Sequence, residues 1–173
     1  MARFQTRLSG QQASLENGTR ILVWGPQGEF VLHDDYSKPA IFLSGGIGVT
    51  PFRSMIKYAT DKQLHLKIVM FDSNENEQNI LYKDKFDEWS AKNKNLKIIY
   101  TITDDNVNSV GWKGEKGRID KAMITRHRTK SDLDNSIFYV CGPPGMLKAT
   151  QDLLRNELHV PDDRVKVEEF TGY

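Results

Sequence analysis

Three glycines, Gly45, Gly46 and Gly48, crowd the stretch AIFLSGGIGVTPFRSMI, residues 40–56, and Thr50 and Pro51 follow them directly. Glycine permits positive φ and lets a ligand approach the backbone closely. Thr is a good N-cap and Pro a good first helical residue, so the spacing predicts a helix opening at Thr50–Pro51. The unpartnered amides of a helix start, reinforced by its dipole, form an anion site that suits a pyrophosphate. The spacing is Gly46-x-Gly48-x-x-Pro51, so proline stands where the usual dinucleotide fingerprint has its last glycine. The plainer alternative is a tight structural turn. Position favours the ligand, because the loop follows an apolar run and precedes an amphipathic one.

A second small-residue loop, Cys141-Gly142-Pro143-Pro144-Gly145-Met146, follows the apolar run IFYVC. Alone, Cys141 would read as a buried small residue at a strand end. The closing EEFTGY carries Glu168 and two aromatics, Phe170 and Tyr173, which exposed disorder rarely does. That favours docking of Phe170 over fraying.

The elements that must hold these loops are legible as periodicities. Five apolar runs, 40–44, 66–71, 96–103, 137–141 and 165–170, read mostly as strands buried on both faces. Between them, Phe52, Met55, Ile56 and Ala59 mark one helical face, Met146, Ala149, Leu153 and Leu154 another, and Tyr82, Phe86 and Trp89 a third. A shorter helix starts at Asp120 as N-cap. Alternating strand and helix predicts an α/β fold, a doubly wound five-stranded parallel sheet over residues 40–173. Residues 1–39 break the rhythm. RILVWGPQGEFVL reads as an antiparallel hairpin about a Gly-Pro-x-Gly turn, too few strands to close a barrel.

Composition narrows the class. The 173 residues, 38% hydrophobic and 27% charged, suit a globular protein with a full core. A net charge of +1 gives no reason to expect nucleic acid as partner. No apolar run approaches a bilayer span and the first residues lack a signal-peptide core, so no membrane insertion and a cytoplasmic location are expected. The single cysteine excludes an intrachain disulfide and a Cys-ligated iron–sulfur cluster. Four histidines scattered without ligand spacing predict no metal site.

GPQGEF (25–30), FLSGGIGVTPFRSMI (42–56), YVCGPPGM (139–146) and EEFTGY (168–173), with the linker-like GWKGEKGRID (111–120), together resemble the ferredoxin–NAD(P) reductase superfamily of flavin oxidoreductases. The resemblance runs from about residue 20 to the end. It implies a barrel for FAD or FMN and an α/β domain that brings NADH or NADPH to it. Gly45, Gly46, Gly48, Thr50 and Pro51 match the loop that receives the cofactor pyrophosphate. Cys141, Gly142, Pro143 and Met146 match the loop beside the nicotinamide. Glu168 and Phe170 match a terminal Glu-x-aromatic whose ring covers the flavin until nicotinamide displaces it. In FDSNENEQNILY, Asn74 falls in the family's Ser-Asn-Arg and Glu75 replaces the arginine that holds the 2′-phosphate of NADP. Asp72 or Glu75 would accept instead from the ribose hydroxyls of NAD, which favours NADH, although Lys83 or Lys85 could supply a cation.

The family's Arg-x-Tyr-Ser or Arg-x-Tyr-Thr, which holds the flavin, does not occur in this sequence. Residues 1–39 thus resemble the C-terminal remnant of a flavin barrel. Three readings stay open: a truncated chain, a partner that supplies the barrel, or a flavin that visits loosely as substrate. The expected function is an NAD(P)H-binding module that passes hydride to a flavin and electrons to an acceptor such as ferredoxin. The alternative is a nucleotide-binding regulatory or electron-transfer subunit that does no catalysis alone.

Overall fold

The computed structural model describes residues 28–104 and 111–169. The chain divides into two compact units, Met1–Val31 and Leu32–Tyr173. The hairpin expected over residues 20–32 lies largely outside the described residues, as does Phe170.

The second unit is built on six parallel strands. In chain order they are β1 (Ala40–Gly45), β2 (Ile68–Asn74), β3 (Leu96–Ile102), β4 (Glu115–Lys116), β5 (Ile137–Gly142) and β6 (Val165–Glu169). Their order across the sheet is β4-β3-β2-β1-β5-β6. The expected five strands become six because β4, two residues long, is too short to carry a periodicity. Every residue of β1 is buried, as a central strand covered on both faces requires.

The helices are α1 (Thr50–Asp61), α2 (Lys83–Lys92), α3 (Lys121–His127), α4 (Lys130–Asn135) and α5 (Pro144–Asp152). Alternation along the strands divides the core into two layers. Ile41, Leu43, Val69, Phe71, Phe138 and Val140 pack with Met123, Ile124, Leu133 and Leu147 from α3, α4 and α5. On the other face Phe42 stacks on Phe52 of α1 with ring centroids 4.5 Å apart. There too the Tyr100 hydroxyl donates to Asp87 of α2 at 2.9 Å.

Phe52, Met55, Ile56 and Ala59 are all buried, and Asp120 caps α3 by accepting from the Met123 amide. Two expected helical features differ. The buried positions of α5 are Leu147 and Thr150, continuing into Leu153 and Leu154; Ala149 is exposed and Met146 half-buried. Leu147, Thr150 and Leu154 keep ordinary helical spacing, one residue out of phase with the expected stripe at its start, and the backbone widens into a π-turn over Leu153–Glu157. Tyr82 lies outside α2, as its left-handed N-cap residue (φ 58°), leaving Phe86 and Trp89 to face inward. α4 had no apolar stripe to announce it; its signal is the capping box of Thr129 with Asp132.

Candidate functional site

The strand order reverses between β1 and β5: from β1 the chain winds outward through β2, β3 and β4, then returns to lay β5 on the other side of β1. Loops leaving the carboxyl ends of strands at such a reversal diverge and open a crevice. Both small-residue loops leave from there. After β1, Gly46–Val49 form one 3₁₀ turn that runs directly into α1. Thr50 is therefore the first residue of α1 rather than its N-cap. Its hydroxyl donates back to the Ile47 carbonyl at 2.8 Å instead of accepting from the helix, because the chain is already helical before it.

The glycines have separate causes. Gly46 has φ +53°, and a side chain there would meet nothing within 4 Å. It turns the chain and leaves open space beside its backbone. Gly48 is buried, and a Cβ there would collide with the Cys141 carbonyl and lie 2.6 Å from Gly142 Cα. Its absent side chain lets the two loops touch. A Cβ on Gly142 would lie 2.8 Å from Met146 Sδ, and one on Gly45 would strike the same sulfur, with Pro143 Cδ 3.6 Å away. The Met146 thioether thus plugs the gap between the loops, and methionine is the side chain most readily displaced from such a gap. Ile47, 41% exposed, stands at the outer tip.

Cys141 is the penultimate residue of β5. It is fully buried, and its thiol is pushed up to about 12 by burial and, secondarily, by the Glu168 charge. It is a neutral thiol. Glu168 is its register partner on β6, half-buried, and burial raises its carboxyl above the ordinary range.

Register extends this pair into a row across the sheet: Glu168, Cys141, Ser44, Asp72 and Tyr100 are successive partners on β6, β5, β1, β2 and β3. Partners in a parallel ladder point to one face, here the face of α1 and α2. Asp72 is fully buried. Its Oδ1 accepts from Ser44 Oγ at 2.6 Å and its Oδ2 from Asn74 Nδ2 at 2.9 Å. Burial drives its carboxyl up to about 6, while the two hydrogen bonds pull the other way. Burial and the neighbouring Asp87 likewise hold the Tyr100 hydroxyl protonated.

Of the residues singled out in sequence, the structure gathers Gly45, Gly46, Gly48, Cys141, Gly142, Pro143 and Met146 at the reversal, with Thr50 and Pro51 heading α1. Asn74 and Glu75 lie one strand away at the end of β2. Glu75 is exposed and accepts from Asn79 Nδ2 at 3.3 Å. Asp72 reaches that surface only through Asn74. Ser44 had escaped notice; the signal was a hydroxyl placed inside an otherwise apolar run.

Comparison with known proteins identifies the family. A family model described as an oxidoreductase NAD-binding domain matches residues 42–152. Nitrate reductase [NADPH] of Emericella nidulans is 34% identical over 155 residues, 82% of this chain and 17% of that protein. NADH-cytochrome b5 reductase 2 of Lodderomyces elongisporus is 30% identical over 145 residues, 83% of this chain and 48% of that one. One component of the Na(+)-translocating NADH-quinone reductase of Yersinia enterocolitica is 29% identical over 162 residues, 92% and 39% respectively. The chain thus spans less than half the length of each. Among solved structures, the CS-b5R domains of human Ncb5or align with a TM-score of 0.67 at 20% identity, over 99% of this chain and 48% of that one. Ferredoxin-NADP+ reductase of Plasmodium falciparum aligns with 0.65 at 21% identity, over 83% and 57%. These two likenesses are of fold.

Proposed function

Because the chain belongs to the oxidoreductase NAD-binding domain family, we propose that it binds NAD(P)H across the β1–β5 reversal, NADH in preference, and passes hydride to FAD or FMN. Electrons then leave for an acceptor such as ferredoxin. The observation that carries the reading is the contact of the two glycine loops, Gly48 against the Cys141–Gly142 backbone, at the mouth of α1. The space beside Gly46 and the displaceable Met146 fit a dinucleotide: the first offers backbone to a diphosphate, the second yields to a flat ring. Reduced nicotinamide supplies the hydride; the flavin receives it.

The residues have simple duties, since hydride transfer between stacked rings asks for placement in a dry pocket and little proton traffic. Gly46 and Gly48 bring their backbone amides to the diphosphate, while Thr50 and Pro51, whose ring nitrogen carries no N–H, open α1 so that the positive end of its dipole faces the same anion. Gly142 and Pro143 leave the nicotinamide side uncrowded. Cys141 offers an uncharged, polarisable wall, and Glu168 beside it supplies negative potential toward the positive charge that grows on the oxidised nicotinamide. Phe170 would cover the flavin face. Glu75, exposed just beyond β2, opposes a 2′-phosphate by charge, which favours NADH.

Titration of the ¹⁵N-labelled chain with NADH and NADPH should move the amides of Gly46 and Gly48, with NADH bound more tightly. NADH should then bleach added FAD or FMN at a rate that depends on the protein. Undisturbed glycine amides would overturn the binding reading, and a tenfold preference for NADPH the specificity. Binding without flavin reduction would favour a non-catalytic nucleotide-binding subunit.

A further inference from the structure

We propose that Asp72 is a positioning residue for the dinucleotide: it locks the side-chain amide of Asn74 so that Asn74 Oδ1 accepts a hydrogen bond from a hydroxyl or amino group of the bound adenosine. This rests on the dinucleotide-binding reading above. Asn74 ends β2, is only 4% exposed, and its Oδ1 has no hydrogen-bond partner. A buried amide oxygen left in that state is costly and calls for an explanation. Its other end supplies one. Nδ2 donates to Asp72 Oδ2 at 2.9 Å, and an ionised carboxylate only accepts. The carboxylate therefore faces the NH₂ group and leaves the oxygen to the other side.

Asp72 is itself held. Its Oδ1 takes the Ser44 hydroxyl at 2.6 Å, and Ser44 immediately precedes Gly45 at the base of the glycine loop. A buried polar relay thus links the foot of the diphosphate loop to the end of β2, where a doubly wound sheet receives its ligand's ribose. The surroundings of Asp72 leave its carboxyl governed first by burial and then by these two opposing bonds. In its row stand Tyr100 on β3, tied to Asp87 of α2, and, beyond Ser44, the neutral Cys141 and then Glu168. The buried residues of α1, Phe52, Met55, Ile56 and Ala59, are apolar. Below the pH at which Asp72 takes up a proton, about 6, its O–H becomes a donor. The Asn74 amide then gains by turning its oxygen inward, and the acceptor is withdrawn from the ligand. Affinity falls as pH falls.

The test uses ADP-ribose, which carries the adenosine and diphosphate without nicotinamide, titrated calorimetrically into the full chain between pH 7.5 and 5.0. Wild-type affinity should drop about fivefold with a midpoint near 6, the scale of one hydrogen bond. In the ligand-free chain the Asn74 side-chain amide resonance should move with the same midpoint. Asn74→Ala should bind about fivefold more weakly at pH 7.5 and lose the midpoint, and Asp72→Asn should lose it too. The wild-type profile and the amide resonance need no variant to fold. An Asn74 amide indifferent to pH, or an Asn74→Ala chain that binds and titrates like wild type, would overturn the positioning role alone. Failure of the wild-type chain to bind ADP-ribose at pH 7.5 would overturn the dinucleotide reading, and this inference with it.

Discussion

Cys141 shows how a residue's chemistry is decided by its surroundings. A free thiol titrates within reach of neutral pH, but here burial and the nearby Glu168 push it up to about 12 from 9.0. The shift favours the neutral form, so thiolate is scarce at any physiological pH. At pH 8 its population falls by roughly a thousandfold relative to an unperturbed thiol. Native protein should therefore react with a disulfide reagent far more slowly than the urea-unfolded chain, by at least two to three orders of magnitude (roughly 100–1,000-fold). Equal rates would show that Cys141 is an open thiolate and unsuited to line a pocket for an uncharged ring. Gly48 makes the same point for backbone. Its missing Cβ serves the contact with the Cys141 carbonyl and so the meeting of the two loops.

At the scale of elements, α5 separates two neighbours with different tasks. Leu147 is buried in the core layer with Ile41, Leu43 and Val140, whereas Met146 turns toward Gly45 and Gly142 at the crevice. Leu147→Ala should cost about 2–5 kcal/mol in urea unfolding, as large-to-small changes in a packed core do. Met146→Ala should cost clearly less than Leu147→Ala and act chiefly on nucleotide affinity, because it removes a plug rather than a pillar. Equal losses of stability would show that Met146 belongs to the core.

The molecule as a whole carries a charge in its core at a cost. Asp72, with a folded value of about 6 against 3.8, takes up a proton on folding only between those two pH values. Its contribution to stability is complete below pH 3.8 and is lost as pH rises through about 6. At pH 7 the buried carboxylate costs up to about 3 kcal/mol, the value of a shift from 3.8 to about 6. Asp72→Asn should therefore be more stable than wild type at pH 7.5, and that advantage should shrink toward pH 4, read by urea unfolding at both. A variant no more stable at pH 7.5 would refute the buried-charge account.

Much of this was legible along the chain. Alternating apolar runs and amphipathic stripes dictated a parallel sheet wound on both faces, since strands without a polar face must be covered twice. The two glycine loops and their family resemblance pointed to the crevice, because backbone approach depends on residue type alone. Other features depended on three-dimensional neighbours. Linear pattern does not reveal that Gly48 meets Cys141, that Asp72 is sealed between Ser44 and Asn74, or that α5 buries Leu147 and not Met146. A two-residue strand and a π-turn leave no periodicity to read. Residue types and spacing determined which chemistry the chain can attempt; register and packing decided which atoms face each other to perform it.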